Sequence, residues 1–453
     1  MRRNRLKLCG AWLPVALLSV GLVRADIWDI DPKRKNEIRL HKIQRWLVPA
    51  LRESEIDLWL VFLRDADDEE VNVVWKDKRD IRLDAVSELI GAEQVYVPAA
   101  LLFTSDGKRV AICSEGDAEY IRQTGIYQQV IPYSYSKRYG FEKMEPLLRA
   151  EVTRLNPRKI GINYSELEPA ADGLSVGMLR VLERWLGPEY SKRFVSAEDV
   201  AVSLWGRNAP EEIELLQQSA EISDRLNREA LAIIRPGETT EKDIFQYYRF
   251  RMKQLGVEPG WSEYRVPIVN AGDPRSGRLP SDVVVQRGRV VKINGAVRVG
   301  GYCVDLNKTA YVLREGEPKP PAAVQQMFDV VLRSLRAAVA AMKPGVHCSD
   351  PDAVARQVVR EAGFEEWGYE TAHSVGVWIH GLGPTIAPAW SHFGRKPSMK
   401  IAVGDVYAVE PTIRRFVPEL GVEVSIHLQE MVVIREDGAH YMVPPQTEFI
   451  LIK

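Results

Sequence analysis

Cysteine is scarce in this chain, with four in 453 residues and no C-x-x-C pair. That excludes a zinc ribbon and a disulfide framework. Cys9 lies in an N-terminal apolar run; without that run Cys113, Cys303 and Cys348 remain, enough for one bridge. Charge of one sign is also lacking, since the formal net charge is -1. Such a balance gives no electrostatic case for nucleic acid or an anionic membrane. Beyond the N-terminus no apolar run is long enough to span a bilayer. Tandem repeats and low-complexity tracts are absent too. What is present is an ordinary globular composition, 45% hydrophobic and 27% charged. The length allows two or three domains with sizeable cores.

The N-terminus reads as a leader. Arg2, Arg3, Arg5 and Lys7 precede an apolar run from Leu8 to Val23, and Val23-Arg24-Ala25 fits a small-x-small cleavage site. Residues 1–25 are therefore expected to be a signal peptide, and the mature chain secreted or periplasmic. The alternative, an uncleaved anchor, requires a run that is short for a spanning helix. Cleavage would remove five basic residues and no acids, bringing the -1 of the whole chain to about -6. No membrane or nucleic-acid partner is expected for that mature form.

Hydrophobic periodicity places helices at Lys33 to Leu51, Leu174 to Leu186, Pro210 to Ile234, Thr240 to Leu255, Ala322 to Met342 and Pro351 to Ala362. Strand patterns run over Leu58 to Leu63, Val95 to Thr104, Val110 to Ser114 and Lys159 to Asn163. Later ones cover Val266 to Val269, Arg289 to Ile293, Cys303 to Leu313, Tyr407 to Glu410 and Glu423 to Ile434. The stretch from Asp65 to Glu93 is charge-rich and resists assignment. A boundary falls near Trp205 to Pro210. The expected fold class is α/β: an α/β domain over 26–205 with a partly parallel sheet, then an α+β domain over 206–453.

Five blocks in the second half stand in a familiar order. They are Pro210-Glu211-Glu212-Ile213, the segment from Asn294 to Asp305, the segment from Ala372 to Pro384, Val409-Glu410-Pro411, and Gln429 to Gly438. Together they resemble the creatinase / aminopeptidase P / methionine aminopeptidase superfamily, whose catalytic domain has the "pita-bread" fold. The N-terminal half is compatible with the smaller domain of creatinase-like members. The resemblance implies a metal site built from two aspartates eleven residues apart, a histidine and two glutamates. Here those ligand positions hold Asn294, Asp305, His373, Glu410 and Gln429.

Two of the five are amides where carboxylates are expected. An amide oxygen can coordinate a cation but carries no charge. The full carboxylate set would neutralise two divalent ions, whereas Asp305 and Glu410 suffice for one. The expectation is thus one divalent ion (Mn, Zn, Fe or Co) or none. Glu430 is a rival for the last position. Strand parity puts Glu423, Ser425, His427 and Gln429 on one face and the apolar Val424, Ile426 and Leu428 on the other with Glu430. That favours Gln429, unless a β-bulge moves Glu430 into place. For Asn294 the bland alternative is a hairpin turn, since Asn-Gly is a turn signal.

The resemblance makes His380 a catalytic residue, hydrogen-bonding the substrate carbonyl. His427 stands where the family commonly has arginine; metal ligation, carboxylate steering and space filling stay open for it. The family's third active-site histidine has no counterpart. Arg275 and Arg278 are candidates for an anionic group, or plain loop arginines. Three functions fit: an Xaa-Pro peptidase-like hydrolase with one metal, a metal-free creatinase-like C–N hydrolase using His380 or His373 as base, and a non-catalytic binding protein on the same scaffold. The ligand is expected to be a peptide or small molecule, and the resemblance implies a homodimer.

Overall fold

β1 (Leu58–Leu63) is apolar along its whole length. Trp59 and Val61 pack to one side, against the helices Pro32–Glu53 and Glu198–Gly206. Leu58, Leu60 and Phe62 pack to the other, against Met144–Leu155 and Val176–Ser191. A strand covered on both faces belongs inside its sheet. The strands β2 (Ala99–Thr104), β3 (Arg109–Ser114), β4 (Gln129–Tyr133), β5 (Ile160–Ile162) and β6 (Phe194–Ser196) surround it in the order β4-β3-β2-β1-β5-β6. β1 runs antiparallel to β2 and parallel to β5, so the sheet is mixed. β2 starts four residues later than the expected Val95, just after Pro98.

The described residues of this computed structural model are 31–63, 90–92, 95, 97–136, 140–168 and 171–453. The expected leader and most of the segment from Asp65 to Glu93 lie outside them. Among the described residues no helix is long and apolar enough to cross a membrane. Cys113, Cys303 and Cys348 are buried and free, so the bridge left open by their number is not formed among them.

A buried ion pair ties the two halves together. Lys42 Nζ lies 3.1 Å from both Glu212 carboxylate oxygens, and both side chains are 2% exposed. Glu212 also accepts from the Tyr302 hydroxyl at 2.8 Å and the Ala209 amide at 2.6 Å. The last bond satisfies an otherwise open helix N-terminus. Removing one partner would strand the other charge, at a cost of about 3–5 kcal/mol.

The helix Pro210–Ala232 opens with Pro210 at its first turn and Glu211 and Glu212 beside the helix dipole. It and Glu241–Leu255 cover one side of the second domain; Ala322–Ala341 and Ser349–Glu361 cover the other. Between them lie two four-stranded sheets. The first contains β8 (Ile268–Asn270), β9 (Val290–Asn294), β12 (Asn307–Val312) and β19 (Ile450–Ile452). The second contains β13 (Ala372–Ser374), β14 (Val406–Val409), β17 (Glu430–Arg435) and β18 (Gly438–Tyr441). β7 (Glu258–Pro259), β10 (Val297–Val299) and β11 (Tyr302–Cys303) form a third, small sheet; β15 (Thr412–Val417) and β16 (Val422–His427) form a hairpin.

Two expected strands are broken. Cys303 to Leu313 is interrupted between β11 and β12, where Asp305 sits. Glu423 to Ile434 is interrupted at Leu428 and Gln429, where the chain leaves the β15–β16 hairpin and joins the β14–β17 ladder. Apolar alternation continues through both breaks, so periodicity alone shows no gap.

A cavity of about 590 Å³ lies at the domain junction, lined by Arg207, His347, Arg395 and Asp405 among others. Burial pushes the Asp405 carboxyl up to about 6, against bonds to its oxygen from the Ala402 amide and the Tyr407 hydroxyl and the nearby charge of Arg207. The fold therefore favours the protonated acid. Its stabilising effect is full below the unfolded value of about 4 and is lost as pH rises through about 6. Asp405→Asn should raise stability by about 1–3 kcal/mol at pH 7.5, with the gain shrinking toward pH 4. Denaturant unfolding at the two pH values checks this; a gain that does not change with pH would contradict it.

Candidate metal centre

Strand ends deliver the site. Asn294 closes β9, Asp305 lies in the gap before β12, Glu410 follows β14, His427 closes β16 and Gln429 precedes β17. His373 is the middle residue of β13, opposite Ala408. Side chains at such positions leave the ladder direction and turn into the space between the sheets.

His373 is the centre of the group. Its Nε2 lies 3.5 Å from Asp305 Oδ2 and 3.8 Å from Glu410 Oε1. Its Nδ1 lies 3.2 Å from the Ser374 carbonyl, which fixes the ring. Desolvation acts to lower its basicity, but Asp305 and Glu410 outweigh that and raise it to about 9. In this state the ring holds a proton that an incoming cation must displace.

His380 reaches the same place through a tight loop. The Gly381 amide donates to the Ser374 carbonyl at 2.7 Å, closing the chain on itself. A Cβ on Gly381 would lie 2.8 Å from Ser374 Oγ, so the closure requires glycine. The two imidazoles then meet edge to face, with ring centres 4.7 Å apart. Ligand atoms of Asp305, His373 and His380 all fall within 4.8 Å of one another. His380 thus offers a ring nitrogen as a third ligand atom beside Asp305 and His373. It stands exposed at the rim, yet desolvation, and then the charge of His373, hold it below the ordinary imidazole value.

The two amides form a relay. Gln429 Nε2 donates to Glu410 Oε2 at 3.0 Å, and Asn294 Nδ2 donates to Gln429 Oε1 at 3.1 Å. Asn307 supports it from below: its Oδ1 accepts from the Gln429 amide and its Nδ2 donates to the His427 carbonyl. His427 Nε2 lies 3.6 Å from Glu410 Oε2. Glu430 points the other way. Lys308 Nζ donates to both its oxygens, at 3.2 and 3.3 Å, and pairs with Asp224 at 3.0 Å. The side chain that enters the site is Gln429.

Four buried polar atoms of the cluster have no hydrogen-bond partner: Asn294 Oδ1, Asp305 Oδ1, His373 Nε2 and His427 Nε2. Buried atoms of this kind normally have partners. With two carboxylates in the same group, the set has the donors and the charge for one divalent cation.

Sequence reasoning passed over Lys292, Asn307 and Arg414. Lys292 interrupts an otherwise apolar strand, which was the available signal. Desolvation, with the charge of Arg414, pulls its ammonium down to about 8. Arg275 is paired with Asp273 in an exposed loop at 2.8 Å, in keeping with the plain reading of that arginine.

Comparison with known proteins agrees with this architecture. Residues 214–436 match the model of metallopeptidase family M24. The match falls within the C-terminal domain, which has the pita-bread fold. The M24 domain is that of a peptidase-like hydrolase. The Xaa-Pro dipeptidase of Pyrococcus furiosus is 26% identical over 261 residues, covering 57% of this chain and 69% of that protein. The solved Xaa-Pro dipeptidase from Bacillus anthracis superposes with a TM-score of 0.59 at 19% identity, covering 91% of this chain and all 100% of that one. The N-terminal domain of FACT complex subunit SPT16 from Cicer arietinum matches with a TM-score of 0.57 at 13% identity, over 90% of this chain and 96% of that one. These structural likenesses show the fold, and the residues of the M24 site must decide the chemistry.

The two neighbouring acid positions separate by mutation. Gln429→Glu brings a second carboxylate against Glu410 and should destabilise the metal-free protein by about 1–3 kcal/mol. Added divalent metal should restore that loss. Glu430→Gln should cost about 3 kcal/mol through Lys308 and leave metal uptake unchanged. Thermal unfolding with and without Mn²⁺ reads both; a loss of metal uptake in Glu430→Gln would reverse the assignment.

Proposed function

We propose that this chain is a secreted Xaa-Pro dipeptidase-like hydrolase working with a single divalent ion. The convergence of Asp305, His373 and Glu410, with unpartnered atoms on four members of the cluster, supports that reading. The ion would be held by Asp305, His373 and Glu410, with His380 or the amide oxygen of Asn294 completing the set. A divalent ion there supplies Lewis-acid polarisation of a scissile carbonyl and activation of water.

The chain's own groups supply the rest. His380 stands at the rim with its basicity lowered, so at neutral pH its ring can both accept a proton and donate a hydrogen bond to a bound carbonyl. Glu410 is held by Gln429 on one oxygen while the other faces His373, leaving that oxygen directed into the site. His427, beside Glu410, can compensate charge that develops there. The homodimer implied by the family resemblance belongs to this proposal.

A second reading is a metal-free C–N hydrolase of the creatinase kind. It is favoured by the amide relay, which satisfies Gln429 and one Glu410 oxygen with no ion. In that case His380, held below the ordinary imidazole value, provides the base, while the proton on His373 stays with Asp305 and Glu410.

The deciding experiment measures bound metal in the purified mature protein after incubation with Mn²⁺, Zn²⁺ or Fe²⁺, alongside hydrolysis of Xaa-Pro peptides. The expected outcome is at most about one tightly held ion per chain, lost in His373→Ala, with activity that follows occupancy. Two ions per chain would overturn the single-ion reading. Activity that survives chelation would favour the metal-free one.

A further inference from the structure

The loop from Val375 to Gly383 carries His380 and lies in no helix or strand. Two bonds close it from within. The Gly376 amide donates to the Trp378 carbonyl at 3.1 Å, and the Gly381 amide to the Ser374 carbonyl at 2.7 Å. Among the described residues, Ile379 and His380 make no hydrogen bond through main chain or side chain. The imidazole is therefore aimed by whatever holds the chain just before it.

The small sheet of β7, β10 and β11 does the holding. The Cys303 amide donates to the Gly376 carbonyl at 2.8 Å, and the Cys303 thiol lies 3.8 Å from the Val377 carbonyl. Arg298, opposite Cys303 on β10, makes the shorter contact. Its Nη1 donates to the Val377 and Gly301 carbonyls, both at 2.5 Å, and its Nη2 to the Gly260 carbonyl at 2.7 Å. These carbonyls belong to three segments: the His380 loop, the turn between β10 and β11, and the chain just after β7. The arginine side chain is buried, with the residue 5% exposed.

A charged donor binds a carbonyl oxygen about twice as strongly as a neutral one. The guanidinium presents its N–H groups as a planar fork, so one side chain serves oxygens that lie in different directions. A lysine offers its donors from a single nitrogen, without that spread. Removal of the fork would leave main-chain oxygens short of donors in a buried space, which the loop relieves by moving away.

We infer that Arg298 is a positioning residue for His380: by gathering the Val377, Gly301 and Gly260 carbonyls, it fixes the loop against the small sheet and sets where the rim imidazole stands. It grips the chain three residues before that ring and acts through the main chain. Its effect on rate rests on the reading that His380 meets a bound carbonyl. Its effect on loop order does not.

The test uses the intact mature protein with Arg298→Lys and Arg298→Gln, each also in a His380→Ala background. Without substrate, amide hydrogen exchange is followed segment by segment. In Arg298→Lys the segment 375–383 should exchange about tenfold or more faster, while β9, β12 and β14 keep their protection and Mn²⁺ uptake is unchanged. With an Xaa-Pro peptide and Mn²⁺, kcat should fall about tenfold or more and KM should change by less than about threefold. Arg298→Gln should show the same pattern more strongly. In the His380→Ala background neither substitution should lower the remaining rate further, because residues that act through one ring are not additive. Unchanged exchange in 375–383, exchange raised equally in β9 and β12, loss of Mn²⁺ uptake, an equal rate loss with and without His380, or failure of both variants to fold would overturn the assignment. If the wild type hydrolyses no Xaa-Pro peptide with any metal, the catalytic reading fails and exchange alone decides the role of Arg298. If the wild type is active and the loop loosens with no change in kcat, the catalytic reading stands and the positioning role fails.

Discussion

Charge balance in a small buried space governs this molecule. Asp305 and Glu410 face one imidazole at under 4 Å, and the positions beside them hold neutral amides. Desolvated charges of one sign need partners of the other. Two carboxylates fit one divalent cation or one protonated histidine, and the site offers the second of these by itself. The raised basicity of His373 is the same balance seen from the protein's side. The amides keep the shape of the ligand shell by bonding to each other, which preserves the packing around the pocket at lower charge.

The acids nearby are spent on architecture. Glu430 neutralises Lys308 together with Asp224, and Glu212 neutralises Lys42 at the domain junction. Each is locked by further bonds, from the Gln446 amide in one case and from Ala209 and Tyr302 in the other. Moving Glu212 toward the candidate site would leave Lys42 buried without its carboxylate, and moving Glu430 would leave Lys308 with Asp224 alone. The carboxylates of the cluster are therefore Asp305 and Glu410, and a small side-chain shift would not add a third.

Much of this was legible in the sequence, for identifiable reasons. The mixed sheet followed from apolar runs alternating with helical patterns, and β1 was plain because both of its faces are buried. The parity of Val424, Ile426 and Leu428 separated Gln429 from Glu430, since a core-facing strand tolerates little ambiguity of face. Less visible were the strand breaks at Asp305 and Gln429, because alternation carries on across them. Lys292 and Arg414 were missed because cross-strand neighbours come from pairing that no single-chain pattern reveals. The tight return of the loop carrying His380 could be guessed from its glycines but not its closure onto Ser374.

One junction extends the consequences beyond the pocket. A Cβ on Gly206 would lie 2.7 Å from Pro384 Cδ and 2.8 Å from Gly383 Cα, so the end of the helix Glu198–Gly206 packs directly on the loop bearing His380. A substitution that thickens this contact would therefore press on the loop that carries the rim imidazole, so the fit between the two halves bears on where that ring stands.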